Sequence, residues 1–305
     1  MRRPITKCTA ILAMLLALIL PAGLAAADKY ELTMDRYRPV GSKFNVQLEG
    51  EQTSRMSQVV DGKRAGSQFS KVTGKLSGVV EVLEKHENKD TKSIAVKIDQ
   101  YEGQRNSVDV KLDTSKRIVA TAEEGELALA YEDGSELSEA AVEYLDMLIT
   151  FMVEETPSDV EDDQMFRLQQ PRAVGSSWQC DRKLLAEDIA AGGKMAIDPE
   201  KIDAQFTFKD IVKLNEERAA DFEVNIKLES VSIPALVEQG FKITKSSGGV
   251  TMAGKLPLDP KSNNGDTGMA MNFDFTAELN ANGSNIKIMT SVKATAHAKY
   301  TEIKE

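Results

Sequence analysis

From Met269 to Tyr300 apolar and polar residues alternate with hardly a break. Met269, Met271, Phe273, Phe275, Ala277 and Leu279 fall on one face, with Asn272, Asp274 and Glu278 on the other. After Asn282-Gly283 the alternation resumes through Ile286, Ile288, Thr290, Val292, Ala294, Ala296, Ala298 and Tyr300. A period of two marks an extended chain with one buried and one wet face, because successive strand side chains point to opposite sides. Asn-Gly supplies the positive φ angles of a tight hairpin turn. The pattern predicts two long antiparallel strands joined by a short turn.

Shorter runs of the same period come earlier: Phe44, Val46 and Leu48; Ile94, Val96 and Ile98; Val108, Val110 and Leu112; Leu127, Leu129 and Tyr131; Val224, Ile226 and Leu228. Turn-forming residues separate them, as at Glu124-Gly125, Asp133-Gly134 and Ser247-Gly248-Gly249. The expected fold class is therefore mainly β, with long antiparallel strands in one or more curved sheets or a half-barrel. One segment departs from it. Leu137, Ala141, Tyr144, Leu145, Leu148, Ile149, Met152 and Val153 recur at three- and four-residue spacing, which predicts an amphipathic helix over about 137–154, packed on a sheet. Ser135 or Ser138 is placed to cap it, and Pro157 to stop it. Glu143 and Asp146 within it argue against a membrane span.

The acidic stretch after this helix divides the chain into a β-rich unit at 28–157, a linker or loop at 158–170 and a second β-rich unit at 171–305. The units share a pattern. RPVGSKFNV, with Gly41 and Phe44, has a counterpart in RAVGSSWQC, with Gly175 and Trp178, and Ile94, Val96 and Ile98 align with Phe222, Val224 and Ile226. An internal duplication is one reading of this, and the general likeness of any two β hairpins is the other.

The first 27 residues read as a cleavable export signal. Arg2, Arg3 and Lys7 precede an apolar run from Ala10 to Leu20, Pro21 and Gly23 break it, and Ala25 and Ala27 stand where a signal peptidase reads. The run is shorter than the ~20 residues a membrane span needs. Cys8 lies before the apolar core, so it is not placed to carry a lipid at the cut, and Cys180 is then the only cysteine left. A periplasmic or secreted protein that is not a lipoprotein, has no internal disulfide and has no transmembrane segment after cleavage is the expectation. Losing the three cations would move the formal charge from −10 to −13. That balance speaks against a nucleic-acid partner, which needs clustered cations, and against adhesion to an anionic membrane.

The chemical motifs are sparse. With His86 and His297 as the only histidines there is no H-E-x-x-H, and no G-x-S-x-G, P-loop or G-x-G-x-x-G occurs. No catalytic residue, metal site or cofactor is assigned. Two acidic clusters, Asp259, Asn263, Asn264 and Asp266 and then Asp159, Glu161, Asp162 and Asp163, carry oxygen ligands but not the spacing of a calcium loop. They read as solvated turns. Trp178 and Cys180 read as core residues.

With a V-G-S-x-aromatic element opening each unit, the chain resembles exported bacterial proteins of unknown function built from tandem β-rich units. In its long amphipathic strands and covering helix it is also similar in architecture to periplasmic lipoprotein carriers of the LolA type. A curved sheet with one apolar face under a single covering helix leaves a groove for a lipid or hydrophobic peptide, which the face bearing Met269, Met271, Phe273 and Phe275 would line, methionine being adaptable to varied ligands. An ordinary closed core is the alternative for that stripe. A cell-envelope protein as partner is the rival functional expectation, and an enzyme without a recognisable motif the third.

Overall fold

The computed structural model describes residues 28–34, 38–87, 90–123, 126–149, 152–154, 160–281 and 283–303. The expected export signal lies outside them, as do Glu124-Gly125, Pro157, Asp159 and Asn282. The strands of the first half are β1 (Lys29–Tyr30), β2 (Lys43–Val60), β3 (Lys63–Lys85), β4 (Thr91–Arg105), β5 (Val108–Asp109), β6 (Arg117–Glu123) and β7 (Glu126–Tyr131). Those of the second are β8 (Arg172–Ala173), β9 (Ser177–Gln179), β10 (Ile202–Leu214), β11 (Glu217–Glu229), β12 (Lys242–Pro257), β13 (Gly265–Ala281) and β14 (Ser284–Glu302). β1 pairs β8; the rest form one antiparallel sheet of 12 strands in the order β7-β6-β4-β3-β2-β14-β13-β12-β11-β10-β9, with β5 on β4. The fold is mainly β, 61% strand, and the sheet is not closed into a barrel. Its centre is the pairing of the last strand with the first long one, from Ile286 opposite Val60 to Glu302 opposite Phe44.

The predicted hairpin of β13 and β14 runs in unbroken register from Gly265 opposite Tyr300 to Ala281 opposite Ser284. The β2–β3 hairpin turns on Asp61 and Gly62, at φ 50° and 77°. Two expectations fail. Ser247-Gly248-Gly249 is no turn but lies within β12, where Gly248 faces Phe273 across the sheet and a Cβ would meet that ring at 2.8 Å. The aromatic ring covers the glycine, so a residue that reads as a break is a packing device. The strand expected through Val108, Val110 and Leu112 shrinks to the two residues of β5, with Val108 exposed and Val110 buried.

The expected helix is α1 (Glu139–Ile149), shorter than its pattern. Ser138 supplies the cap, its Oγ accepting from the Ala141 amide, while Ser135 bonds to Asp133 instead. Met152 and Val153 are buried beyond the helix end. Tyr144 lies flat on the sheet: Cβ atoms at Gly74 and Gly103 would sit 2.0 and 2.6 Å from its ring, and its hydroxyl donates to the Lys75 carbonyl at 2.5 Å. The expectation of a single helix is corrected by α2 (Asp162–Met165), α3 (Arg182–Ala191) and α4 (Pro234–Glu238). They escaped periodicity because α2 and α4 are one turn long and α3 buries only Leu185 and Ala186. The acidic stretch read as a linker thus holds α2, with Met165, Phe166 and Leu168 buried behind it.

One sheet face carries both cores. Phe44, Val80, Ile94 and Ile118 pack under α1, while Phe206, Phe208, Phe222 and Val224 pack under α2 and α3. Registers place them on one side: Leu48 lies opposite Ala298, which lies opposite Thr267, then Gly254, then Phe222.

The two halves repeat a local geometry. Gly41, at φ 84°, donates to the Val82 carbonyl, Ser42 to Pro39, and Val82 back to Ser42. Gly175, at φ 80°, donates to Phe208, Ser176 to Ala173, and Phe208 back to Ser176. Arg38 stacks on Phe44 and Arg172 on Trp178. Val80 pairs Val96 as Phe206 pairs Val224, and both ladders shift register next, between Val82 and Glu84 and between Phe208 and Asp210.

Candidate ligand cavity

The sheet's other face is polar. Gln179, Gln205, Asn225, Thr251, Ala270, Thr295 and Glu51 stand in one row across adjacent strands, and together they line a hollow of about 1390 Å³. Residues so far apart along the sheet border one space only if the sheet bends round that face. The hollow mixes apolar surface with charged groups of both signs, Asp203, Lys227, Asp274 and Lys293 among them.

A different space lies on the core side, in the gap between the two helical covers. It measures about 360 Å³. Its floor is the stretch of β11 to β14 that neither cover reaches fully, with Phe222, Met252, Leu256, Met269 and Ala298. Met152 and Val153, at the end of the α1 cover, and Met34, before β2, form its sides. Its apolar floor is rimmed by charged groups, and clefts of this size are common small-ligand sites. Methionine has three rotatable bonds and a polarisable sulfur, and so adapts to a ligand's shape.

The polar groups at the cavity are set by the elements around it. Asp163 Oδ1 accepts from the Met34 amide at 2.7 Å, which ties the segment before β2 to α2. His86 Nε2 lies 2.8 Å from the Glu154 carbonyl, which holds the end of the α1 cover beside β3. Lys85, Asp90, Glu154 and Asp162 are at the border, each engaged with other groups of the protein. Arg38 lies over Phe44 and Tyr300, 4.7 and 4.6 Å from the ring centroids. Burial pushes the Arg38 guanidinium below its ordinary range and the Tyr300 hydroxyl above its own.

Of the stripe singled out in the sequence, Met269 lines this cavity. Phe273 packs at the edge of the second core, its ring 6.1 Å from that of Phe275. Met271 borders the largest polar hollow, and Phe275 another. All four are half-buried and share a strand face, but they do not surround one space. Periodicity placed Met152 in the helical stripe and Tyr300 in the last strand, but it had no means of bringing them together with Met34 and Arg38, which come from distant parts of the chain.

Among the described residues much of the acidic clusters is engaged by the protein itself, while the Asn263 Oδ1 is buried without a hydrogen-bond partner. Asn264 accepts from Asn215 and from the Glu302 amide, and donates to Glu217; Asp266 pairs with His297 at 2.7 Å. In the second cluster Glu161 accepts from Gln164 and Asp163 from Met34. Trp178 stacks on Phe206 at 4.8 Å and donates to the Phe166 carbonyl, and Cys180 is buried, its thiol pushed up to about 11 by that burial. Among the described residues no helix is long and apolar enough to cross a membrane.

No family model matches the chain, and no curated protein matches it. Among solved structures it is similar to one describing lipid-protein interactions in lipovitellin, at a TM-score of 0.33 and 8% identity over 88% of this chain, which spans 26% of that one. It is also similar to the outer membrane protein OprG of Pseudomonas aeruginosa, at a TM-score of 0.18 and 11% identity over 87% of this chain and 98% of that one. An outer membrane channel of Pseudomonas putida F1 gives 0.17 and 6% over 88% and 98%. Likenesses this slight carry no argument about this chain, and the functional reading rests on the cavity.

Proposed function

We propose that this protein binds and carries a hydrophobic ligand, held between the α1 cover and the α2 and α3 cover. The observation that carries the reading is the cleft of about 360 Å³ between the covers, charged at its rim and bordered by Met34, Met152, Met252 and Met269. The chain works outside the cytoplasm, delivered there by the export signal in residues 1–27, and its two halves descend from one duplicated unit; the recurring turn and bulge support that descent. The architectural resemblance to periplasmic lipoprotein carriers fits the same role. Native mass spectrometry of protein purified from its own host tests it. The expected result is a retained apolar species of a few hundred daltons, lost on replacing Met269 by Gln; protein that arrives empty and is not stabilised by any added lipid sinks the reading.

A second reading is an envelope interaction protein. The edges β7 and β9 favour it, since each offers backbone groups to a partner strand. Crosslinking in cells discriminates: a stable protein complex with an empty cavity supports this alternative.

A further inference from the structure

The ligand's polar end is readable from one residue. Arg38 borders the cavity, and its Nε is shut off from solvent without a hydrogen-bond partner. Among the described residues no ion pair holds its guanidinium, which lies over the Phe44 and Tyr300 rings. The acids nearby, Asp90, Glu154 and Asp162, are engaged elsewhere. For a half-buried cation with no ion pair among the described residues, stacking on two rings offsets only part of the cost of leaving water. Arg172, at the repeated position in the second half, also has an Nε without a partner, but its guanidinium stacks on Trp178, donates to the Arg167 carbonyl at 2.9 Å and does not line this cavity.

We propose that Arg38 receives the carboxylate of a single-chain fatty acid whose hydrocarbon tail lies among Met152, Met252 and Met269. The planar guanidinium matches a carboxylate, which takes two parallel N–H donors. A space of about 360 Å³ is at the small end of ligand cavities and suits one acyl chain. This inference rests on the carrier reading and goes beyond it by naming the head group.

The test compares two ligands that share a tail. Dodecanoate and 1-dodecanol are titrated calorimetrically into the delipidated full chain and into Arg38→Met and Arg38→Lys. The expected result is dodecanoate binding tighter than dodecanol by about tenfold or more, the scale of a charged hydrogen bond. Arg38→Met should remove that preference while leaving dodecanol affinity within about twofold, and Arg38→Lys should keep part of it. Equal affinity of the wild-type protein for the two ligands overturns the head-group assignment and leaves the carrier reading standing. So does a variant that loses both ligands together, since that marks a structural role. If Arg38→Met does not fold, the wild-type ratio decides. Binding of neither ligand overturns both readings.

Discussion

β2 and β9 begin with the same turn and the same arginine on an aromatic ring, yet β2 runs for 18 residues and β9 for 3. The difference is the neighbour. β2 is paired on both sides, by β3 and by β14, whereas β9 pairs only β10 and is an edge of the sheet. The local sequence fixes how each strand starts; whether it continues depends on a second partner that satisfies its backbone groups. The same contrast governs the arginines. Because β14 lies beside β2, Tyr300 stands next to Phe44, the rings 5.8 Å apart, and Arg38 sits over both. Arg172 has only Trp178.

The covers differ as well. In the first half one helix lays a tyrosine on two glycines; in the second, short helices pack around stacked aromatic rings, with Phe206 between Trp178 and Phe222. Tyr144→Ala should therefore have the largest effect, about 3–5 kcal/mol by denaturant titration, as for removal of a fully enclosed ring. Trp178 is half-buried, so Trp178→Ala should cost less; a larger loss there would show that the second half carries the stability.

Gly74→Ala comes next, at about 2–3 kcal/mol, because its Cβ would meet both the Tyr144 ring and the Glu102 carbonyl. Gly248→Ala should cost about 1 kcal/mol less, since its Cβ would meet the Phe273 ring and the Asn272 carbonyl at 2.8 and 3.1 Å, against 2.0 and 2.8 Å for the contacts at Gly74. Gly41→Ala and Gly175→Ala, both at positive φ and otherwise unobstructed, should each cost about 1 kcal/mol. If the two turns are equivalent the costs agree; a clear mismatch would break the correspondence between the halves.

The smallest effect is chemical. With its thiol pushed up to about 11, Cys180 holds its proton more tightly folded than unfolded. Its contribution to stability is thus intact below the ordinary thiol range and fades as pH rises through it toward 11. Native protein at pH 9 should be alkylated far more slowly than urea-unfolded protein. Comparable rates would mean that the core around α3 opens readily.

The alternation in β13 and β14 and the stripe in α1 were legible because each is a long segment whose period is set by its own backbone geometry. The role of Gly248 was not, since the ring that covers it belongs to the next strand. α2 and α4 were hidden by their length. Of the cavity, the sequence assigns Met269 alone to a groove; Met152, Phe222 and Tyr300 are legible as core-facing residues but not as neighbours of one space.

By itself, then, the sequence determined the strand period, the face each residue takes, the chief helix and the paired V-G-S turns, all of which follow from interactions within a few residues. Tertiary structure decided that β14 closes onto β2, that the two halves share one sheet, and that Arg38 and four distant methionines border one space. Those depend on which strands pair across long separations, and strand pairing is settled by backbone hydrogen bonds that any sequence can make.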